Sequence, residues 1–382
     1  MNRMKIVPLN SVCEINPSIP VSIKNSPCME VSFVPMSSLQ TDGTFSNVEK
    51  RDFKEIDKGY KYFEKGDVIL AKITPCMENG KAAFVQDIPT QVAFGSTEFH
   101  VLRPKKEIHG KYLSYLIRDP RFRKVAEINM TGTAGQRRVP TAFLERYKIL
   151  LPPLEEQIRI ATRLSRIEGL IARRKESIRL LDEFVKSMFL EMFGDPVRNE
   201  KGWEVKPFSE IGQFISGGTP SKERDDFWNG DFPWVSPKDM KMTYIHDSID
   251  HLSEIVFEET ALKRIDPGCI LIVVRGMILA HSFPVAINEV PVSINQDMKA
   301  IKLRDGINSQ YMVNCLNAMK RLILSSITTA GHGTKRFDSE VMNTIMIPIP
   351  EISFQDKFAN HVAKVESMRL KYKKGLSELE SL

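Results

Sequence analysis

Leu151-Pro152-Pro153-Leu154-Glu155-Glu156-Gln157 opens a long run with few breakers, and Ile349-Pro350-Glu351-Ile352-Ser353-Phe354-Gln355 opens a second. In the first, the prolines stop a strand, and Glu155 and Glu156 put negative charge in a first helical turn, where the helix dipole favours it. Only Gly169 then interrupts the chain before Gly194-Asp195-Pro196 ends the helix. Leu164, Ile171, Ile178, Val185 and Met192 recur every seven residues. Ile160, Ile167, Leu181 and Met188 form a second row, broken by Arg174. Alternating steps of three and four make the seam of a coiled coil. The tail repeats the register with Phe358, Val365, Tyr372 and Leu379, and with Val362, Met368 and Leu376 beside them. One such helix would expose its stripe, whereas two in one chain can bury theirs together. A domain lies between them, so the simplest return is antiparallel. About 40 residues at 1.5 Å each give a rod of about 60 Å.

The duplication extends outward from those openings. Tyr311-Met312-Val313 follows Tyr112-Leu113-Ser114 by 199 residues, and 330–336 (Ala-Gly-His-Gly-Thr-Lys-Arg) answers 131–138 (Thr-Gly-Thr-Ala-Gly-Gln-Arg-Arg). Such a period far exceeds the roughly 20–50 residues of a solenoid unit. It implies two similar domains and a pseudo-two-fold body, suited to a ligand with approximate two-fold symmetry such as duplex DNA. Short β-rich runs at 31–35, 67–73, 82–85 and 98–102 recur at 234–236, 270–274, 285–287 and 298–303, with helices expected over 113–128 and 311–325. Strands and helices do not alternate as in a doubly wound fold, so each half reads as α+β with a mostly antiparallel sheet.

The bulk figures narrow the class. A chain of 382 residues has room for two cores, and 42% hydrophobic with 27% charged residues is an ordinary globular composition. A formal charge of +6 leans mildly towards a polyanion. Five scattered cysteines (Cys13, Cys28, Cys76, Cys269, Cys315) form neither a disulfide frame nor a zinc site. Residues 1–10 hold no signal peptide, and the apolar run 270–274 is too short for a bilayer, so a cytoplasmic protein without a membrane is expected.

Signatures of catalysis are missing. There is no G-x-G-x-x-G after a strand, no Asn-Pro-Pro-aromatic stretch for base methylation, and no Ser, His and Asp set. The halves share Gly, Lys and Arg in place of acids and bases, so no catalytic residue and no metal site is assigned. The basic loops carry the functional signal. Thr131, Gly132, Thr133, Gly135, Gln136, Arg137 and Arg138 offer small residues that approach phosphate, a Gln suited to adenine and guanidiniums suited to guanine. Gly331, His332, Thr334, Lys335 and Arg336 stand at the equivalent place. Lys72 with Thr74, and Arg275, end buried strands and are matched loosely, while Lys81 and Lys222 are further candidate phosphate contacts. Trp228 and Trp234 could stack on a base or serve the core. A free-standing DNA-modifying or DNA-cleaving enzyme and a structural coiled-coil adaptor are the competing readings.

Several motifs in series resemble the specificity subunit of type I restriction–modification systems. They are 151–157 opening a long helix, Met192-Phe193-Gly194-Asp195-Pro196 closing it, Gly217-Gly218-Thr219-Pro220-Ser221-Lys222, and 228–235. The stretches 66–75 and Gly95-Ser96-Thr97-Glu98-Phe99 belong with them, and the likeness covers essentially the whole chain. It implies target-recognition domains at 1–152 and 195–351, and spacer helices at 153–194 and 352–382 forming an antiparallel coiled coil. It implies a non-catalytic subunit reading a bipartite double-stranded DNA target, one half-site per domain. Two modification (methyltransferase) subunits would dock on it, and restriction (helicase-nuclease) subunits would join them. S-adenosylmethionine, ATP and Mg²⁺ would reside on those partners, with no cofactor in this chain. The second copy of the opening motif is less regular, and its helix is shorter.

Overall fold

A computed structural model describes residues 4–56, 59–329 and 335–381. The chain divides into two compact units, Met1–Leu170 and Ile171–Leu382. In the first unit, Cys13–Ile15, Phe99–Pro104, Val68–Ala71 and Ala82–Phe84 form one four-stranded sheet, and Glu49–Asp52, Glu30–Val34, Val92–Gly95 and Lys61–Glu64 form another. Lys5–Pro8 pairs antiparallel with Lys148–Leu151 at the root of the long helix. The second unit repeats the plan. Gly212–Ser216, Met298–Leu303, Ile270–Val273, Val285–Asn288 and Tyr244–Ile245 make a five-stranded sheet, Asp250–Leu252, Phe232–Val235 and Ser293–Ile294 a three-stranded one, and Val205–Pro207 pairs with Met346–Pro348. One sheet of each unit contains the same parallel pairing, Glu30–Val34 beside Val92–Gly95 and Phe232–Val235 beside Ser293–Ile294. The mixed α+β class read from sequence is the class observed.

A duplicated hydrogen-bond knot fixes where each long helix begins. Gln157 is fully buried; its side-chain oxygen accepts from the His109 amide at 2.9 Å, and its amide donates to the carbonyls of Glu107 at 3.0 Å and Pro152 at 2.8 Å. Gln355 does the same with Asn308 at 2.8 Å, Gly306 at 3.0 Å and Pro350 at 2.7 Å. The tyrosine pair repeats too: Tyr112 donates to the Leu150 carbonyl at 3.0 Å and Tyr311 to Pro348 at 2.7 Å. A buried amide side chain with both ends satisfied specifies one geometry, since any other leaves a polar group orphaned.

The long helices run Leu154–Phe193 and Ile352–Glu380. The first turns of the former pack on the first unit: Ala161 is in its core, and Glu168 accepts hydrogen bonds from Tyr115 and Arg118, each at 2.6 Å. From Ile171 onward the helix lies antiparallel to Ile352–Glu380. Lys175 pairs with Glu380 at 2.8 Å, Asp182 with Arg369 at 2.5 Å, and Phe189 packs against Phe358 with ring centroids 5.6 Å apart. The guanidinium of Arg174, the break in the seam, lies 4.6 Å over the Tyr372 ring. Val185, Phe189, Phe193, Phe358, Val362 and Val365 are buried in the core of the second unit.

Three local expectations are corrected. The helix expected over 113–128 is two, Gly110–Arg118 and Pro120–Ile128. Pro120 cannot continue a helix, and Asp119 caps the second one through the Arg121 amide. The helix expected over 311–325 likewise divides into Ser309–Ala318 and Lys320–Ser326 at Met319. Met368 is 44% exposed, and Arg369 takes the inward place beside it, paired with Asp182 and with Glu366 at 2.8 Å.

Candidate nucleic-acid interface

In each unit a strand end is tied to a basic loop by the same backbone pattern. In the first, Lys72 donates to the Glu98 carbonyl at 2.9 Å, Val139 to Lys72 at 2.8 Å and Thr74 to Arg137 at 3.0 Å. In the second, Val274 donates to Asp297 at 2.8 Å, Phe337 to Val274 at 2.9 Å and Gly276 to Lys335 at 3.1 Å. Ile73 faces Arg138 across an isolated antiparallel bridge, as Arg275 faces Arg336. These bonds correct the loose match made in sequence: Lys72 corresponds to Val274, and Arg275 to Ile73. The strand ends are 202 residues apart (72 to 274) and the loops 198 (138 to 336), so no single offset aligns both.

The first loop is anchored at its base and open at its tip. Residues 131–136 are exposed, whereas Val139 is buried. Gly132 has φ +120°, and a Cβ there would approach the Gln136 carbonyl to 2.9 Å, so only glycine closes this turn. Beneath the loop, His100 is 4% exposed. Its Nε2 lies 2.8 Å from the Val139 carbonyl, an acceptor only, so Nε2 carries the proton and Nδ1 accepts from the Asn16 amide at 3.1 Å. Burial holds the His100 pKa down at about 4, against the opposing Val139 bond, and the ring is neutral.

The candidate cations of the first unit converge, and acids meet them. Arg138 donates to both Glu98 carboxylate oxygens at 3.0–3.2 Å and to the Gln136 carbonyl at 2.9 Å. Lys72 donates to the Thr97 carbonyl at 2.8 Å, with Glu98 at 3.8 Å. Burial pushes the Lys72 ammonium pKa down, and Glu98 partly offsets this. For Glu98, burial acts to raise the pKa, but the Arg138 bond and the Lys72 charge outweigh it and hold the carboxyl below its usual range. Arg137 pairs with Glu78 at 3.1 Å, and the Thr74 hydroxyl reaches the same carboxylate at 3.2 Å. Lys81 is turned to the Met36 carbonyl at 3.1 Å. Glu78 and Glu98 are the residues missed in the sequence; Glu98 stood inside a quoted motif without a role.

In the second unit Arg275 and Arg336 are exposed and face each other across the bridge, and Lys335 is half-buried. Gly331, His332 and Thr334 lie outside the described residues. Lys222 is exposed in the loop after Gly217, where a Cβ would meet the Ile294 carbonyl at 2.2 Å, so glycine is required for close backbone approach. Thr219 accepts from Asn295 at 3.1 Å, and Asn295 accepts from the Asp297 amide at 2.8 Å, which ties this loop to the Arg275 strand end. Trp234 is 4% exposed and packs edge-on against Trp228 at 5.0 Å, serving the core and not a base. No group of metal-ligating side chains occurs among the described residues, and none of their helices is long and apolar enough to cross a membrane.

Residues 1–180 and 200–380 each match the family described as type I restriction modification DNA specificity domain. The chain belongs to that family. It is 42% identical over 178 residues to the specificity subunit of the type I restriction enzyme EcoAI of Escherichia coli, covering 46% of this chain and 30% of that one. To the EcoR124I/EcoR124II specificity subunit of the same species it is 31% identical over 224 residues, 55% of each chain. The chain therefore spans between about a third and just over half of these two relatives. Among solved structures, a chain from work on assembly and conformational transition of the type I R-M system matches with a TM-score of 0.61 at 20% identity, covering 99% of this chain and 95% of that one. The type I restriction–modification S subunit from M. genitalium matches with a TM-score of 0.60 at 15% identity, covering 99% and 93%. Both share the fold.

Proposed function

We propose that this chain is the DNA-recognition subunit of a type I restriction–modification complex, each unit reading one half of a bipartite duplex target. The observation that carries the reading is the strand end and basic loop joined by the same backbone bonds in both units. In this family membership supplies the DNA context, and the loops supply chemistry suited to it: exposed backbone, Gln136, and guanidiniums for base edges or phosphates. The chain itself is non-catalytic in this reading. S-adenosylmethionine, Mg²⁺ and ATP act on modification and restriction subunits docked to it.

A repeated apolar surface supports two modification subunits. On the first unit's paired strands Ile6 is 71% and Leu150 44% exposed. The corresponding pair of the second unit exposes Val205 at 39% and Met346 at 42%. One patch per unit offers one seat per copy of a single partner.

The test is assembly of the full chain with its modification subunits, followed by mapping of methylated sites and binding to duplexes over a range of salt. Site-specific methylation and steep salt dependence of binding are expected. Turnover by the chain alone, or methylation without sequence preference, overturns the proposal.

A further inference from the structure

The two units treat their arginines differently. In the first, Lys72, Arg137 and Arg138 are faced by Glu78 and Glu98, with Glu127 4.0 Å from Arg137. Three cations meet three acids, and the exposed tip at 131–136 is uncharged. In the second, the counterpart of Glu98 is Asp297, one methylene shorter, and Arg275 and Arg336 form no ion pair among the described residues. Directly opposed like charges on one face of an antiparallel pair are unfavourable until an anion lies between them.

Resting on the function proposed above, we propose that Glu98, assisted by Glu78, is a specificity-determining residue that makes the first unit a charge-balanced reader. A bare phosphate approaching Arg138 and Lys72 meets the Glu98 carboxylate as well, so sequence-independent attraction is cancelled there. A base edge carries no net charge and suffers no such penalty; an amino group of cytosine or adenine can donate to the carboxylate itself. The side-on hold on Arg138 fixes its guanidinium plane before DNA arrives, which lowers the ordering cost of a directed contact. The second unit, whose Arg275 and Arg336 form no ion pair among the described residues, supplies the phosphate hold.

The test uses the full chain assembled with its modification subunits. Its methylated-site map defines the target, and binding is read by fluorescence anisotropy for a target duplex and a scrambled duplex over a series of KCl concentrations. For E98Q the scrambled duplex binds roughly tenfold tighter at low salt, and the slope of log K against log salt steepens by about 1 to 2 as Arg138 and Lys72 become available to phosphates. Discrimination falls at one half-site and not at the other. An unchanged slope with unchanged or weaker scrambled binding, or a loss spread equally over both half-sites, overturns the proposal. E78Q, acting through Arg137, moves binding in the same direction, so the test stands even if E98Q does not fold. A wild-type complex that does not distinguish target from scrambled duplex sinks the underlying function instead.

Discussion

Replacing Gln157 with leucine removes the knot at the root of the first long helix while keeping its volume. Three hydrogen bonds are lost, to the His109 amide and the Glu107 and Pro152 carbonyls, and all three groups stay in a site where the side chain is fully buried. At about 0.5–1.5 kcal/mol per bond, with an added cost for the orphaned His109 N–H, the local loss is about 3 kcal/mol. Two units in one chain do not unfold in a single transition, so a global melting curve is the wrong readout. Hydrogen exchange resolves the site: at about 1.4 kcal/mol per tenfold, the His109 amide exchanges roughly 100-fold faster in Q157L. Gln355 makes the equivalent bonds with Asn308, Gly306 and Pro350, so Q355L accelerates Asn308 by a similar factor and leaves His109 alone. Unchanged exchange at His109 in Q157L, or one substitution loosening both amides, refutes the reasoning.

Two further outcomes follow from named groups. His100 is buried and neutral, with its pKa lowered from 6.5 to about 4, so its contribution is present above pH 6.5 and lost as pH falls towards 4, where the unfolded chain binds a proton the folded one refuses. Stability of the first unit therefore falls by about 3 kcal/mol over that window relative to H100Q, and parallel pH profiles for the two proteins in hydrogen exchange of the first unit's core amides would rule this out. Inserting a matched heptad into both long helices keeps the seam in phase and adds about 10 Å at 1.5 Å per residue. Methylated-site mapping should then give a target gap wider by about three base pairs at ~3.4 Å each, and an unchanged gap removes the helices as the ruler.

Periodicity and breakers carried most of what could be read in advance. The helix openings were visible because prolines, acids and a glutamine recur in the same order, and Phe358 and Val365 were visible as seam residues because seven-residue spacing is local. Pro120 is a readable break that the apolar pattern of 113–128 masked, whereas Met319 interrupts its helix without any local signal. Arg369 fills a seam position because Asp182 and Glu366 reach it, and that depends on a helix nearly 190 residues away. The acids of the candidate interface were hidden for the same reason: Glu98 is 40 residues from Arg138 and Glu78 is 59 from Arg137. Spacing cannot rank such partners, since only the pairing of strand end with loop brings them together. The same pairing resolved the register of Lys72 and Arg275, where the two halves differ in length between strand and loop.

The most direct test of the two-reader account is the methylated-site map of the assembled complex carrying Q136A and R137A together. Both side chains belong to the first loop alone, so one half of the target should become degenerate while the other half and the gap persist. Degeneracy in both halves, or a map identical to that of the wild type, contradicts it.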